Sequence, residues 1–446
     1  MPQGLTVLCA ITPGQEERLR AVLRAIGNDI RGRELNEAVE RPHVDFPGSR
    51  RIHFARFAIL DDPDRGPLRK RLLYSSNYDG DLDGHLTELT AITSDLDAIW
   101  GACEGYAGGA HFAAFISAHA HQPEAFYIAF RDETVGSIQD AAAMRRLAAP
   151  LLDATSVGRL PAILSRLSPG EPAWVVDILR VSATATRTLA GAMAWVARAL
   201  PIPVDLFRAV VRCGLRNVFA GGMQIIASLD RYVVFRLLNR VFRNHVKALA
   251  SPYSSVELDN CAARARLVPG DEIPVGQDFP APPTFREDVV TQNQLTLVTV
   301  VQPEQVDRVR AVMAAIDSYA RRLSPRGSLI GISTIHFVRW VLIDNGRRLM
   351  LLSDYDGSWE SYIDEFAVMI LSGLDAIWRT SYGYPPDGAK DLPAFKRFLR
   401  RHQVPSDVFY SAYPDETVLN IVNDQAFAGA CSEASTGPAG RLLRQV

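Results

Sequence analysis

The stretch IHFARFAILDD at residues 52–62 returns as IHFVRWVLIDN at 335–345. YSSNYDG (74–80) returns as LLSDYDG (351–357), and LDAIW (96–100) as LDAIW (374–378). AFYIAFRDETV (125–135) returns as VFYSAYPDETV (408–418). These blocks are offset by 283, 277, 278 and 283 residues. Upstream, LTVLCAITPGQEERLRAVLRAIG (5–27) matches LTLVTVVQPEQVDRVRAVMAAID (295–317). The order is kept and the spacing drifts only slightly, as changes in loop length would cause. One unit of about 135 residues therefore occurs twice.

Each unit reads through its periods. Residues 5–11 are a short apolar run ended by Pro13-Gly14, which predicts a buried strand. Leu19, Val22, Leu23 and Ile26 form a helical stripe. Residues 52–60 and 71–76 read as strands, and 82–100 as a second helix. A further helix near 109–120 precedes a last strand at Ala125–Phe130. The order β-α-β-β-α-(α)-β predicts an α+β class built from two tandem ferredoxin-like repeats. Their open sheet faces would pair into a pseudo-twofold α+β barrel, or pack as two sheets face to face. The expected boundaries are 1–150 and 293–430 for the repeats, 151–250 for a basic helical insert, 251–292 for a Pro-rich linker, and 431–446 for a tail.

Composition narrows the function classes. Hydrophobic residues make up 48% and charged residues 22% of 446, an ordinary globular balance. The net charge of −2 argues against nucleic acid as partner of the whole chain. Five cysteines, far apart in sequence and without a CxxC pair, point to a reducing compartment, so a cytoplasmic location is expected. Charge is unevenly spread: residues 180–247 hold eleven basic and two acidic side chains, +9 in all. Val233, Val234, Leu237, Leu238, Val241 and Leu249 share one side of a helical stretch, and Arg236, Arg240, Arg243 and Lys247 another. Uncharged runs there reach only 13 residues, short of the ~20 that span a bilayer. The segment reads as a subdomain packed on the barrel, as an element lying on an anionic membrane surface, or as a nucleic-acid contact, the last disfavoured because aromatic interleaving and a known module are both missing.

The candidate site residues come from the repeats. His53 and His336 are equivalent, as are Arg56 and Arg339. Strand alternation puts His53 on a face with Ala55 and Phe57, and Arg56 on the opposite one, so one of the pair should point into the barrel. Tyr78-Asp79-Gly80 and Tyr355-Asp356-Gly357 stand at strand-to-helix turns, where Asp would cap the following helix and Gly would allow the turn. His121-Gln122 and His402-Gln403 are read as closing the extra helix, where the dipole favours a histidine; His111 and His119 have no evident counterpart. Tyr127 and Tyr410 repeat on the last strand. GxSxG, HExxH, Walker and Rossmann motifs are absent from the sequence.

The blocks IHFARF, IHFVRW, YDGSWESYIDEF and FYSAYPDETVLNI resemble bacterial proteins built from tandem ferredoxin-like units. More remotely, the architecture is similar to the dimeric α/β-barrel superfamily, which includes dye-decolourising peroxidases, chlorite dismutases and cofactor-free monooxygenases. That resemblance implies a haem site. The GxxDG motif of the peroxidases fits Gly80-Asp81-Leu82-Asp83-Gly84 by its letters, which makes Asp83 the candidate acid, with Arg56 and Arg339 beside it. The repeat mate, Gly357–Ser361, departs from the motif. His336, His402 and His53 are the candidate haem ligands on the same resemblance. Two functions are therefore expected: a peroxidase-like or monooxygenase-like oxidoreductase acting on an apolar small molecule at a membrane, or a non-catalytic membrane-peripheral binding or scaffold protein.

Overall fold

The computed structural model describes residues 1–34, 39, 42–61, 69–152 and 290–436. The basic segment 180–247, with Arg236, Arg240 and Arg243, and the linker up to 289 lie outside them. Contacts divide the chain into two compact units. One is Met1–Gln139 with Phe242–Val422, and the other is Asp140–Val241 with Asn423–Val446.

Both sheets lie in the first unit, as do both repeats up to the first turn of the last helix of each. The first repeat runs β1 (Pro2–Ala10), α1 (Glu16–Glu34), β2 (Ile52–Asp61), β3 (Lys70–Asp79), α2 (Leu82–Ile92), α3 (Leu96–Trp100), α4 (Phe112–Ala118), β4 (Ala125–Ile128) and α5 (Val135–Leu152). The second runs β5 (Gln292–Val300), α6 (Val306–Arg322), β6 (Ile335–Ile343), β7 (Arg348–Asp356), α7 (Trp359–Trp378), α8 (Leu392–His402), β8 (Val408–Ser411) and α9 (Val418–Thr436). The α+β class expected from the periods is what the chain adopts.

The sheets are four-stranded and antiparallel, in the orders β1-β3-β2-β8 and β4-β6-β7-β5. Each therefore takes three strands from one repeat and the last strand of the other. Phe54 to Phe57 of β2 pair with Ser411 to Val408, and Ala125 to Ile128 pair with Trp340 to Phe337. A ferredoxin-like unit would keep its fourth strand at home, beside its first. Here that strand crosses over and adds to the β2 or β6 edge.

Helices cover the outer faces because their apolar stripes need a partner. Leu19, Leu23, Ile26 and Ile30 of α1 join Leu5, Val7, Tyr74 and Trp100 in one core. Val309, Val312, Met313 and Ile316 of α6 join Leu295, Leu297 and Trp340 in another. Between the sheets, Leu8, Ala58, Leu60, Leu73, Val341, Ile343, Met350 and Leu352 interlock at one end. The other end of that layer is polar, and it holds most of the candidate site.

Of the second unit, the described part is the remainder of α5 and α9, where Arg145 Nε donates to Asp424 Oδ2 at 2.9 Å. Among the described residues, no helix is long and apolar enough to cross a membrane.

Candidate functional site

Strand alternation places Arg56, Ser75 and Asn77 on the inner face of one sheet, and Gln294, Thr296, Arg339 and Asp354 on that of the other. His53 joins them through a register shift between Ile52 and Phe54, which breaks the alternation. The expectation that His53 would side with Ala55 and Phe57 is thus corrected. Those two sit in the helix-side core, while His53 packs against Phe337 of the facing sheet at 5.4 Å.

His53 and His336 are fully buried, each against a carboxylate. His53 Nε2 lies 3.0 Å from Asp79 Oδ1, and Asp79 Oδ2 accepts from Val135 N at 2.8 Å. His336 Nε2 lies 2.7 Å from Asp356 Oδ1, and Asp356 Oδ2 accepts from Val418 N at 2.7 Å. Asp79 and Asp356 therefore serve the first turns of α5 and α9, not of the helices that follow them in sequence. Asp81 and Ser358 cap those, through Gly84 N and Ser361 N. The glycine half of the YDG reading holds, with φ +90° at Gly80 and +81° at Gly357.

The two sets differ at one atom. A carboxylate can only accept, so Nε2 carries the proton in a neutral ring and Nδ1 is an acceptor. Tyr413 donates its hydroxyl to His53 Nδ1 at 2.9 Å. Burial, then the nearby aspartates, hold that phenol well above its ordinary range, so it stays a donor. Phe130 stands at the equivalent place, and His336 Nδ1 is left without a partner.

The arginines cross between the sheets. Arg56 pairs with Asp354 and also donates to Gln294 Oε1, Leu295 O, Thr296 Oγ1 and Ser353 O at 3.0–3.1 Å. Asn77 Nδ2 donates to the other oxygen of Asp354 at 2.7 Å. Among the described residues, Arg339 donates to Ser75 Oγ at 2.6 Å and Ser76 O at 3.1 Å and lies over the Phe126 ring at 5.5 Å, while its Nη1 has no hydrogen-bond partner. Its poverty follows from two exchanges: Asn77 stands where the other half has Asp354, and Gly4 where it has Gln294. A Cβ on Gly4 would collide with the Arg339 guanidinium as it stands, so a larger residue there would force that side chain to move. Burial pushes Arg339 down to about 9; Asp354 opposes that and Arg56 adds to it.

The other candidates are scattered. Asp83 is exposed in the first turn of α2, a helix on the outer face, so it is not brought to Arg56 or Arg339. His402 lies at the end of α8 with Nδ1 donating to Phe398 O at 2.8 Å and its ring 4.5 Å from that of Phe398. Its counterpart is His119, not His121, since His119 repeats the bond to Phe115 O at 2.8 Å. The 283-residue offset of the block that follows already points to that pairing. Tyr127 and Tyr410 both lie in helix-side cores.

Neither buried histidine fits an axial haem ligand. Both ring nitrogens of His53 are bonded. Nε2 of His336 is held by Asp356, and its ring is hemmed by Phe54, Tyr413 and Phe130 at 5.3–6.3 Å.

Two features escaped the sequence reading. Cys9 and Cys103, read as distant, share a hydrogen bond that, with burial, holds the Cys9 thiol far above its ordinary range. The other is a cavity of about 60 Å³ on the outer face of the second sheet, beneath α6 and α7. Its walls include Leu329, Trp340, Leu351, Phe366 and Leu374, and no charged side chain lines it. Two irregular residues border it. Ile370 breaks helical geometry inside α7 at φ −139°, ψ 35°. Ile330, a β-branched residue, is held at φ +54° in the tight turn closed by Leu329 and Ile332. Compared with protein families, characterised proteins and solved structures, the chain matches none.

Proposed function

We propose that this chain is a non-catalytic binding protein that takes a small apolar molecule into the cavity beneath α7. The carrying observation is the cavity itself: an apolar lining next to a helix kink and a strained turn. The inner polar sets support the non-catalytic half of the reading. Arg56, His53, Asp79, Asp354 and Asp356 spend their bonds on one another, on neighbouring buried side chains and on the backbone of adjoining elements. Arg56 and Arg339 are each 2% exposed, and an oxidoreductase using them would need them beside its substrate. Hexane titrated into the protein should shift methyl resonances of Leu329, Leu351 and Ile370. Replacing Leu351 by Tyr, the residue at the matching place in the first repeat, should abolish that shift. An unaltered spectrum of the wild type at saturating hexane would refute the reading.

The finer architecture belongs to the same proposal: each repeat is a ferredoxin-like variant whose last strand is exchanged, and the two close as a pseudo-twofold barrel. Residues 180–247, with Arg236, Arg240 and Arg243, would attach the protein to an anionic membrane surface and bring apolar ligands to it. Binding to phosphatidylserine vesicles that weakens with salt would support that attachment.

A further inference from the structure

The repeats act as controls for one another at the cavity. Leu351 matches Tyr74 through the YDG blocks, and Leu329 matches Phe46, each six residues before the IHF block. Tyr74 and Phe46 are fully buried. Phe46 stacks on Tyr410 at 4.8 Å, and Tyr74 packs on Phe57 and Trp100 at 4.7 and 5.9 Å. Two aromatic rings thus occupy the place that two leucines line in the second repeat. One exchange runs the other way: Phe57 becomes Trp340, which adds an indole N–H to a lining whose other polar side-chain groups are the Tyr362 hydroxyl and the Trp378 indole. Trp340 is 4% exposed and its Nε1 has no hydrogen-bond partner among the described residues. The lining hydroxyl of Tyr362 is already engaged with Ser353 Oγ at 2.6 Å. A buried donor left unmatched is unfavourable, and a ligand oxygen relieves it.

Resting on the apolar-ligand reading above, we infer that the cavity selects molecules with an apolar body and one hydrogen-bond acceptor, a carbonyl or ether oxygen, received by Trp340 Nε1. A carboxylate is disfavoured, because no charged side chain lines the site.

The experiment compares 2-hexanone with hexane on the full chain. 2-Hexanone should move the Trp340 indole N–H resonance downfield in the wild type, and hexane should not. Trp340→Phe, the first repeat's own choice, should weaken 2-hexanone binding relative to hexane binding by on the order of five- to tenfold. The indole shift needs no variant, so it stands even if Trp340→Phe folds poorly. Hexane binding with an unmoved indole resonance under 2-hexanone overturns the acceptor inference and leaves the apolar reading intact. Binding of neither molecule overturns both.

Discussion

His85 stacks on Tyr78 with ring centroids 4.0 Å apart and meets Ser76 Oγ at 2.9 Å. Burial, aided by Arg51, lowers its pKa to about 3. The unfolded chain takes up this proton as pH falls through its ordinary value near 6.5, while the folded chain resists until about 3. The contribution is complete above pH 6.5 and is lost as pH falls toward 3, by up to ~1.4 kcal/mol per pH unit. The second repeat has Tyr362 there, stacked on Tyr355 at 3.9 Å and bonded to Ser353. His85→Tyr should therefore keep the stack and flatten this part of the pH dependence, as urea midpoints at pH 7 and 5 would show; an unchanged slope would place the acid sensitivity elsewhere. A second residue-scale test uses the orphan at His336 Nδ1. Phe130→Tyr supplies the hydroxyl that Tyr413 gives to His53, and should stabilise by about 1 kcal/mol. Tyr413→Phe should destabilise by a similar amount. A loss of stability in Phe130→Tyr would mean the hydroxyl finds no room.

At the scale of elements, the two repeats solve the same joint with different chemistry. Cys9 on β1 meets Cys103 after α3. In the second repeat Ser381 Oγ donates to Thr299 Oγ1 at 2.9 Å at the matching place. Both pairs tie the first strand to the segment after the LDAIW block. The double variant Cys9→Thr with Cys103→Ser should therefore unfold within about 1 kcal/mol of the wild type, whereas Cys9→Thr alone should cost more. Equal losses in single and double variants would deny the pairing. The helix above each sheet differs as well. In the first repeat it breaks at Thr93, where Val44 forms a bridge and Phe46 fills the core. In the second it runs through as α7, kinked at Ile370, over the cavity.

For the unit that holds both repeats, strand exchange makes each repeat depend on the other. β4 pairs with β6 and β8 with β2, so a lone repeat lacks one strand of its sheet and carries an unpaired strand that belongs elsewhere. The buried bonds of Arg56 to β5 and β7, and of Arg339 to β3, add to that dependence. Residues 1–139 expressed alone should be unfolded or aggregated, as dispersed amide resonances would reveal, and co-expression with residues 290–436 should restore them. A well-dispersed spectrum from the first fragment by itself would rule out this dependence.

The α+β class, the doubled unit and the equivalence of His53 with His336 and of Arg56 with Arg339 were all legible in the chain. Period and block order are local properties that survive duplication. The glycines at 80 and 357 were legible for the same reason, since a turn of positive φ is decided within a few residues. Partners were not legible. The bulge at His53, the reach of Asp79 and Asp356 to distant helix starts, and the crossing of β4 and β8 depend on which segments meet across two sheets. Sequence separation carries no record of that. Asn77 against Asp354, Gly4 against Gln294 and Leu351 against Tyr74 were visible as mismatches between the copies. Only the packed structure turned them into an arginine with fewer bonds than its mate and a cavity, because a lost partner or a missing ring acquires its energy from the neighbours that surround it.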